Sequence, residues 1–440
     1  MINNIQSVSD ALLCSNCGAC KAICPKDAIH FSSSSIGRKF AVVNDSCIEC
    51  KACVKVCPAI DFHNLHSAFP DRYIGNIKAV YIGKADNPLI YARSQSGGAC
   101  TATLIHLFEH GMIDAAILCR MNAANPPIVE AYVAETAEQL TESQKSKYTP
   151  VELLSALKLT ASKKTVAIVG LPCHLEGVEL LKKQSKKFQN IKYKLGLICD
   201  RTLGATLEDV VMSYTNKKEP AIIEWRKKNF SESGTYYPYK TAPIRVKYSN
   251  NETIVLPNTY RFALKEMFTS PRCRVCYDKL NIFADVVFGD PWGMSDVDWN
   301  KGESLVFTRT SLGEALIRDM IDSGAVSMKT ASIDELLEGQ HINERRRSVS
   351  VYSAALSSLN IPKIDSYLNK QTDVCDIQNN EKLSAINKLN DFLDNENLSK
   401  DKIITKARRL IDLNLKRQKF NNLFVIKVLR KIKNIKILNR

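Results

Sequence analysis

"CSNCGACKAICP", residues 14–25, places four cysteines in eleven positions and follows the last with Pro25. "CIECKACVKVCP", residues 47–58, repeats the spacing and ends on Pro58. Both runs read C-x2-C-x2-C-x3-C-P, the spacing of proteins that carry two 4Fe–4S clusters. In that arrangement three close cysteines wrap one cluster from a tight loop, and the fourth, before the proline, reaches the other. The rule groups Cys14, Cys17, Cys20 and Cys57 on one cluster and Cys47, Cys50, Cys53 and Cys24 on the second. Zinc usually takes two C-x2-C pairs across a longer loop, which is a different pattern.

These residues resemble the bacterial ferredoxin module over about residues 8–62, with "AIHF" and "AVVND" as its small strands. The remainder has an ordinary globular composition. At 440 residues, 45% hydrophobic and 24% charged, the chain is long enough for two or three domains with proper cores. Fifteen cysteines are many, but a chain of this size does not need disulfides for stability. Met1–Leu13 lacks the basic start and apolar run of a secretory leader. No run of about eighteen apolar residues occurs, so no membrane-spanning helix is expected. A cytoplasmic, reducing compartment is the expectation, and there clustered thiols serve metals or redox chemistry.

Beyond the first seventy residues, apolar strands alternate with helical patterns, which argues for an α/β layer. "KAVYIGKA" reads as a strand, and "GGACTATLIHLFEHG" as a helix stopped by Gly111. "DAAILC" and "VEAYVA" read as strands, and "AEQLTESQ" as a polar helix. "KTVAIVGLPCHLEGVELL" gives a strand, a turn and a helix, and "KLGLICD" a further strand. Cys173 and Cys199 therefore fall at the carboxyl ends of neighbouring strands, the edge where open α/β sheets build their sites. "SPRCRVCYDKLNIFADVVFGDPWG" then adds Cys273 and Cys276 before a strand ending at Gly289-Asp290. "ESLVFTRT" and "LGEALIRDMI" close the pattern as strand and helix.

At this point the chain resembles the beta subunits of coenzyme F420-reducing hydrogenases and dehydrogenases, a group that includes 7-hydroxymethyl chlorophyll a reductase. Six ordered motifs carry the resemblance: "SQSGGACTATL" (94–104), "SKY" (146–148), "VGLPCHLEGV" (169–178), "GLIC" (196–199), "CRVCYD" with "ADVVFGDPWG" (273–293), and "KGESLVFTRTSLG" (301–313). The "VGLPCH" turn departs from the family's usual Gly-Thr-Pro-Cys-Gln form but keeps its cysteine. The resemblance implies four segments. These are a two-cluster ferredoxin domain at 1–66, a flavin-binding α/β region at 74–150, a C-terminal family region at 151–330, and a helical extension with a basic tail at 331–440. The expected fold class is α/β (α+β).

The resemblance also implies FAD and a third 4Fe–4S cluster. The flavin contacts it implies are Ser96, Gly97, Gly98, Thr101, Lys147 and Tyr148. Cys173, Cys199, Cys273 and Cys276 make the four thiols that such a cluster needs, although the same set also suits zinc. Read without the family, the Ser-Gly-Gly turn is an ordinary helix entry whose free amides suit a phosphate. Lys147 is then a surface lysine, and Asp290 and Trp292 are a turn residue and a core aromatic. Cys100, Cys119 and Cys375 read as packing or linker residues. No side chain stands out as a general acid.

A flavin handles one or two electrons, whereas a cluster passes one. The implied path runs between a one-electron donor or acceptor protein, the three clusters, the flavin and a small-molecule substrate or coenzyme, either F420 or another acceptor. A non-catalytic subunit feeding a partner enzyme, as in surface-polysaccharide metabolism, is the alternative. The final forty residues hold thirteen Lys or Arg and two Asp. Phe420, Phe424, Val428, Ile432 and Ile435 recur there at three- or four-residue spacing. Such a helix suits an anionic membrane surface, an acidic partner or packing on its own protein, and nucleic acid fits less well. The expected location is cytoplasmic or peripheral at the inner membrane surface.

Overall fold

Short β-branched runs bounded by Gly, Pro and Asn become strands at the expected places, because both faces of a central strand can then be covered by helices. The computed structural model describes residues 4–228, 242–362 and 376–422. Its strands are β1 (Ile29–Ser33), β2 (Lys39–Val43), β3 (Ala79–Ala85), β4 (Ala115–Asn122), β5 (Ile128–Ala134), β6 (Val166–Gly170) and β7 (Ile191–Leu197). They continue as β8 (Ala221–Glu224), β9 (Ile244–Tyr248), β10 (Thr253–Leu256), β11 (Val286–Gly289), β12 (Ser304–Thr308) and β13 (Val326–Thr330).

Eight of these form one sheet in the order β13–β3–β12–β11–β7–β6–β4–β5. The central strands β11, β7, β6 and β4 run parallel, and the flanking pairs are antiparallel. Helix Pro172–Gln184 crosses from β6 to β7, and helix Ala99–Glu109 leads into β4. Residues 74–150 and 151–330 therefore contribute strands to a single sheet. The carboxyl ends of β6, β7 and β11 lie along one edge, and the loops that carry the cysteines start there.

The ferredoxin-like segment folds a β1–β2 hairpin that overlaps the expected "AIHF" and "AVVND" stretches, with Ile29 opposite Val43. It is packed onto the α/β layer. The Leu154 amide donates to the Cys17 carbonyl at 2.9 Å, and the Ala205 amide to the Gly37 carbonyl at 2.9 Å. Gly37 has φ +82°, and a Cβ there would lie 2.2 Å from the Ala205 nitrogen, so only glycine permits this approach.

The small antiparallel sheet β10–β9–β8 is not distinguished by periodicity. Its strands are four or five residues long, and fully buried Trp225 follows the first of them. Residues 331–440 also differ from a polar extension. Leu389, Phe392, Ile403, Ala407 and Ile411 are all buried, and the last four close the core beneath the small sheet. Arg38 ties the ferredoxin-like segment to this region through Glu396 at 2.6 Å. The basic positions 423–440, including Phe424, Val428, Ile432 and Ile435, lie outside the described residues, as does Cys375. No helix among the described residues is long and apolar enough to cross a membrane.

Candidate functional site: three groups of thiols at one sheet edge

The two cysteine runs fold alike because the backbone turns at matching positions. Asn16 and Gly18 in the first run have φ +58° and +91°, and Glu49 and Lys51 in the second have +52° and +58°. These left-handed residues curl each loop so that its three cysteines converge.

Burial and the neighbouring thiols Cys17, Cys14, Cys57 and Cys53 hold the Cys20 thiol well above its ordinary range. Cys57 is raised by burial and then by Cys17 and Cys14. The fourth cysteine of the second run thus sits with the three of the first. Conversely Cys24 lines one recess with Cys47, Cys50 and Cys53. The structure thus brings Cys14, Cys17, Cys20 and Cys57 together, and Cys24 with Cys47, Cys50 and Cys53.

Cys173 opens helix Pro172–Gln184, and Cys199 follows β7. After burial, the groups that raise Cys173 are Cys17, Cys199, Glu176 and Cys276. Cys199 in turn faces Cys273 and Cys276. These four thiols form a third group whose nearest neighbour is Cys17 of the first. Gly177, one turn further along the helix, packs closely on the same region: a Cβ there would lie 2.7 Å from a Leu154 methyl and 3.2 Å from the Ala19 Cβ. Cys50, in the second group, is exposed. Cys17, Cys20, Cys53 and Cys57 are buried, and the four thiols of the third group are part-buried.

A single tetrahedral zinc with Zn–S of about 2.3 Å would draw its sulfurs to about 3.8 Å of one another. Among the described residues, the one set of three His, Cys, Asp or Glu side chains with all ligand atoms within 4.8 Å is His66, Glu176 and Asp278. The cysteine groups are more open than zinc requires. His66 and Glu176 are close because they are hydrogen-bonded at 3.0 Å, fully buried between the ferredoxin-like segment and helix Pro172–Gln184.

The glycine loop lies at the same sheet edge. Gln95 Nε2 donates to Ser146 Oγ at 3.0 Å, and the Ser146 amide to Gln95 Oε1 at 3.2 Å. These two bonds bring the Ser94–Gly98 and Ser146–Tyr148 segments together. Gly98, at φ +81°, opens helix Ala99–Glu109, with Thr101 buried in its first turn. The Gly97 amide is already donated to Ser304 Oγ at 3.1 Å. Ser96 places its hydroxyl 3.4 Å from the same Ser304 oxygen. Lys147 turns away from the loop: its Nζ donates to the Ser143 and Gln144 carbonyls at 2.5 and 3.1 Å, closing helix Ala137–Glu142. The Tyr148 ring meets Trp225 edge-on at 5.7 Å and lies under the Arg261 guanidinium. Asp290 accepts from Arg226 Nη2 at 2.8 Å, and Trp292 stacks on Trp299.

Composition hides a concentration of cations around this loop. Buried Lys228 donates to the Ser96 carbonyl and sits 3.8 Å above the Tyr91 ring. Burial, then Lys227 and Lys84, pushes Lys228 down to about 7. Burial, then Arg245 and Arg93, brings Lys227 to about 8, and burial, then Lys227 and Arg245, brings Lys145 to about 7. The only sequence signal for this rim is the run "WRKK" after β8.

A sequence profile for the carboxyl-terminal part of the coenzyme F420 hydrogenase/dehydrogenase beta subunit matches residues 163–334, and the profile for its amino-terminal part matches 80–158. The chain belongs to this beta-subunit family. A 4Fe–4S dicluster domain matches residues 13–60, so the chain is an iron–sulfur electron-transfer subunit of an oxidoreductase family. An uncharacterized protein of Methanocaldococcus jannaschii is 28% identical over 354 residues, 73% of this chain and 90% of the relative. Coenzyme F420 hydrogenase subunit beta of Methanococcus voltae is 25% identical over 271 residues, 60% of this chain and 88% of the relative. A chain of the F420-reducing [NiFe] hydrogenase complex of Methanosarcina barkeri shares the fold, with a TM-score of 0.51 and 19% identity over 66% of this chain and 96% of that one.

Within this family frame, Glu208 is a carboxyl the motifs do not mark. It lies on helix Thr206–Met212 beside Tyr148, and Thr149 Oγ1 donates to it at 3.2 Å. Burial pushes it up to about 8 from the ordinary 4.5. The native state then holds a proton that the unfolded chain releases, so its stabilising share is complete below about pH 4.5 and is lost as pH rises through 8. Glu208→Gln keeps the hydrogen bond and cannot ionise. Its melting temperature should gain on wild type from pH 5 to pH 8, by the equivalent of about 3 kcal/mol. Parallel pH curves would contradict the buried acid.

Proposed function

We propose that the chain is a flavin-dependent iron–sulfur oxidoreductase subunit, with three 4Fe–4S clusters and one FAD between a one-electron partner protein and a two-electron substrate or coenzyme. The placement of Cys17 beside Cys173 carries this reading, because it brings the ferredoxin-like thiols next to a third group at the edge where the glycine loop lies. Three groups of four thiols fit three clusters by ligand number. Their openness favours a four-iron cube over one zinc.

When bound, the clusters carry single electrons and the flavin exchanges one or two. The chain's own residues prepare the site. Cys14, Cys17, Cys20 and Cys57 would hold one cluster, Cys24, Cys47, Cys50 and Cys53 the second, and Cys173, Cys199, Cys273 and Cys276 the third. Burial raises Cys17 and Cys276 to about 11, so these thiols keep their protons until a metal displaces them. For the flavin, the first-turn amides of helix Ala99–Glu109 beyond Gly98, with Lys227 and Lys228 nearby, suit a phosphate-bearing ligand, whose charge would favour the protonated form of both lysines. Gly97 serves by close packing: a Cβ there would lie 2.3 Å from the Gly83 carbonyl. Lys147 serves by closing its own helix.

The relatives named for coenzyme F420 make that coenzyme, itself an anion, the first acceptor to test. The decisive experiment is anaerobic purification followed by flavin release and quantitation. About one FAD per chain supports the reading. A flavin-free chain that retains its iron makes it an electron-transfer subunit for a separate enzyme.

The basic tail supports a peripheral role at an anionic membrane. Vesicles containing anionic lipid should carry down the full chain and release it in high salt, since screening weakens such attraction. The control must be cut after Asn422, because a cut at Asn390 would remove Phe392, Ile403, Ala407 and Ile411 from the core. Equal sedimentation of the shortened chain would contradict the role.

A further inference from the structure

A recess of about 170 Å³ opens beside Cys273. One water needs only about 10–15 Å³ of such space. Arg201, Glu266 and Arg274 form one wall, within the family match at 163–334. The other wall, with Arg345, Tyr352 and Lys388, comes from helices Ile342–Ser357 and Asn379–Glu396 beyond that match.

The charges in this recess do not balance. Glu266 alone meets Arg274 at 2.9 Å, Arg201 at 3.0 Å and Lys388 at 3.8 Å. Arg345 is 4.0 Å from Asp200, which also serves Lys265 at 2.7 Å and Arg201 at 2.9 Å. Five cations thus share two carboxylates. Arg274 and Arg345 are more than nine-tenths buried, and the Nε of each is buried without a hydrogen-bond partner. Burying guanidinium charge in excess of the carboxylates that meet it is costly, and an oxyanion in the recess supplies charge in a shape that matches the guanidinium fork. Arg201 and Arg345, from the two walls, also lie in the field of Cys273 and Cys199, whereas Lys388 stands half-exposed at the rim.

We propose that this recess binds a small tetrahedral oxyanion of the phosphate or sulfate kind, clasped between the family segment and the C-terminal helices. The site stands whether or not the neighbouring thiols hold a cluster. It adjoins them all the same, because Arg345 Nη2 donates to the Cys273 carbonyl at 3.0 Å and Thr202 lies 3.4 Å from Cys273 Sγ.

The test is a calorimetric titration of the full, anaerobically purified chain with inorganic phosphate, in chloride buffer of constant ionic strength. Saturable one-to-one binding is expected. Lys388→Glu, on an exposed position, should weaken it about tenfold with iron content unchanged, and Arg345→Gln should weaken it further. Absence of saturable binding, or equal affinity in wild type and Lys388→Glu, overturns the proposal.

Discussion

Cys273→Ser protein purified without oxygen is expected to carry about eight irons instead of about twelve, by the four irons each thiol group would hold. The spectroscopic signal of the ferredoxin-like pair should survive, because no residue of the first two groups belongs to the third. On the proposal that the chain binds FAD, reduction of that flavin by a one-electron donor should slow sharply, while its direct hydride reduction should change little. Cys14→Ser should do the reverse, disturbing the ferredoxin-like pair and sparing the third group. Loss of all iron from Cys273→Ser would show instead that the three groups assemble as one unit.

Glu176→Ala is expected to destabilise the chain by about 3 kcal/mol, the scale for breaking a buried, hydrogen-bonded pair. The Glu176 side chain is wholly buried and bonded to His66, which follows the ferredoxin-like cysteines and packs edge-on against Tyr277 and Phe283. Its removal should lower the melting temperature by several degrees, and Glu176→Gln, which keeps a partner for the imidazole, should cost less than half as much. Glu176 also lies in the field of Cys17, Cys173 and Cys276. The loss should therefore loosen the contact between the first and third groups before it touches the second. A cost below about 1 kcal/mol would mean that the Gly177 contact and the Leu154–Cys17 bond hold the two segments without it.

What the sequence made legible is local. The repeated cysteine spacing encodes a loop that closes on itself, so the first two groups could be read from fifty residues. The β6 run was legible because a strand covered on both faces reads as a continuous apolar stretch, whereas β7 interleaves Lys192 and Lys194 with its apolar residues and was legible mainly at its end. The third group was visible only as leftover cysteines at strand ends, and it needed the family resemblance to become a set. His66 and Glu176 are 110 positions apart, and no periodicity links them. Nothing in the sequence sets Lys228 apart from its neighbours, because its burial depends on Tyr91 and on the carbonyls of Ser96 and Lys301. The C-terminal helices looked like a polar extension, since their charged outer face outnumbers the narrow stripe at Phe392, Ile403, Ala407 and Ile411 that closes the core.

The most direct test is metal analysis of the wild-type chain after anaerobic purification, with iron, zinc and acid-labile sulfide counted together. Three groups of four thiols predict about twelve irons, a matching amount of sulfide and no stoichiometric zinc. About eight irons with one zinc would contradict the account, leaving the ferredoxin-like pair intact and making Cys173, Cys199, Cys273 and Cys276 a structural site.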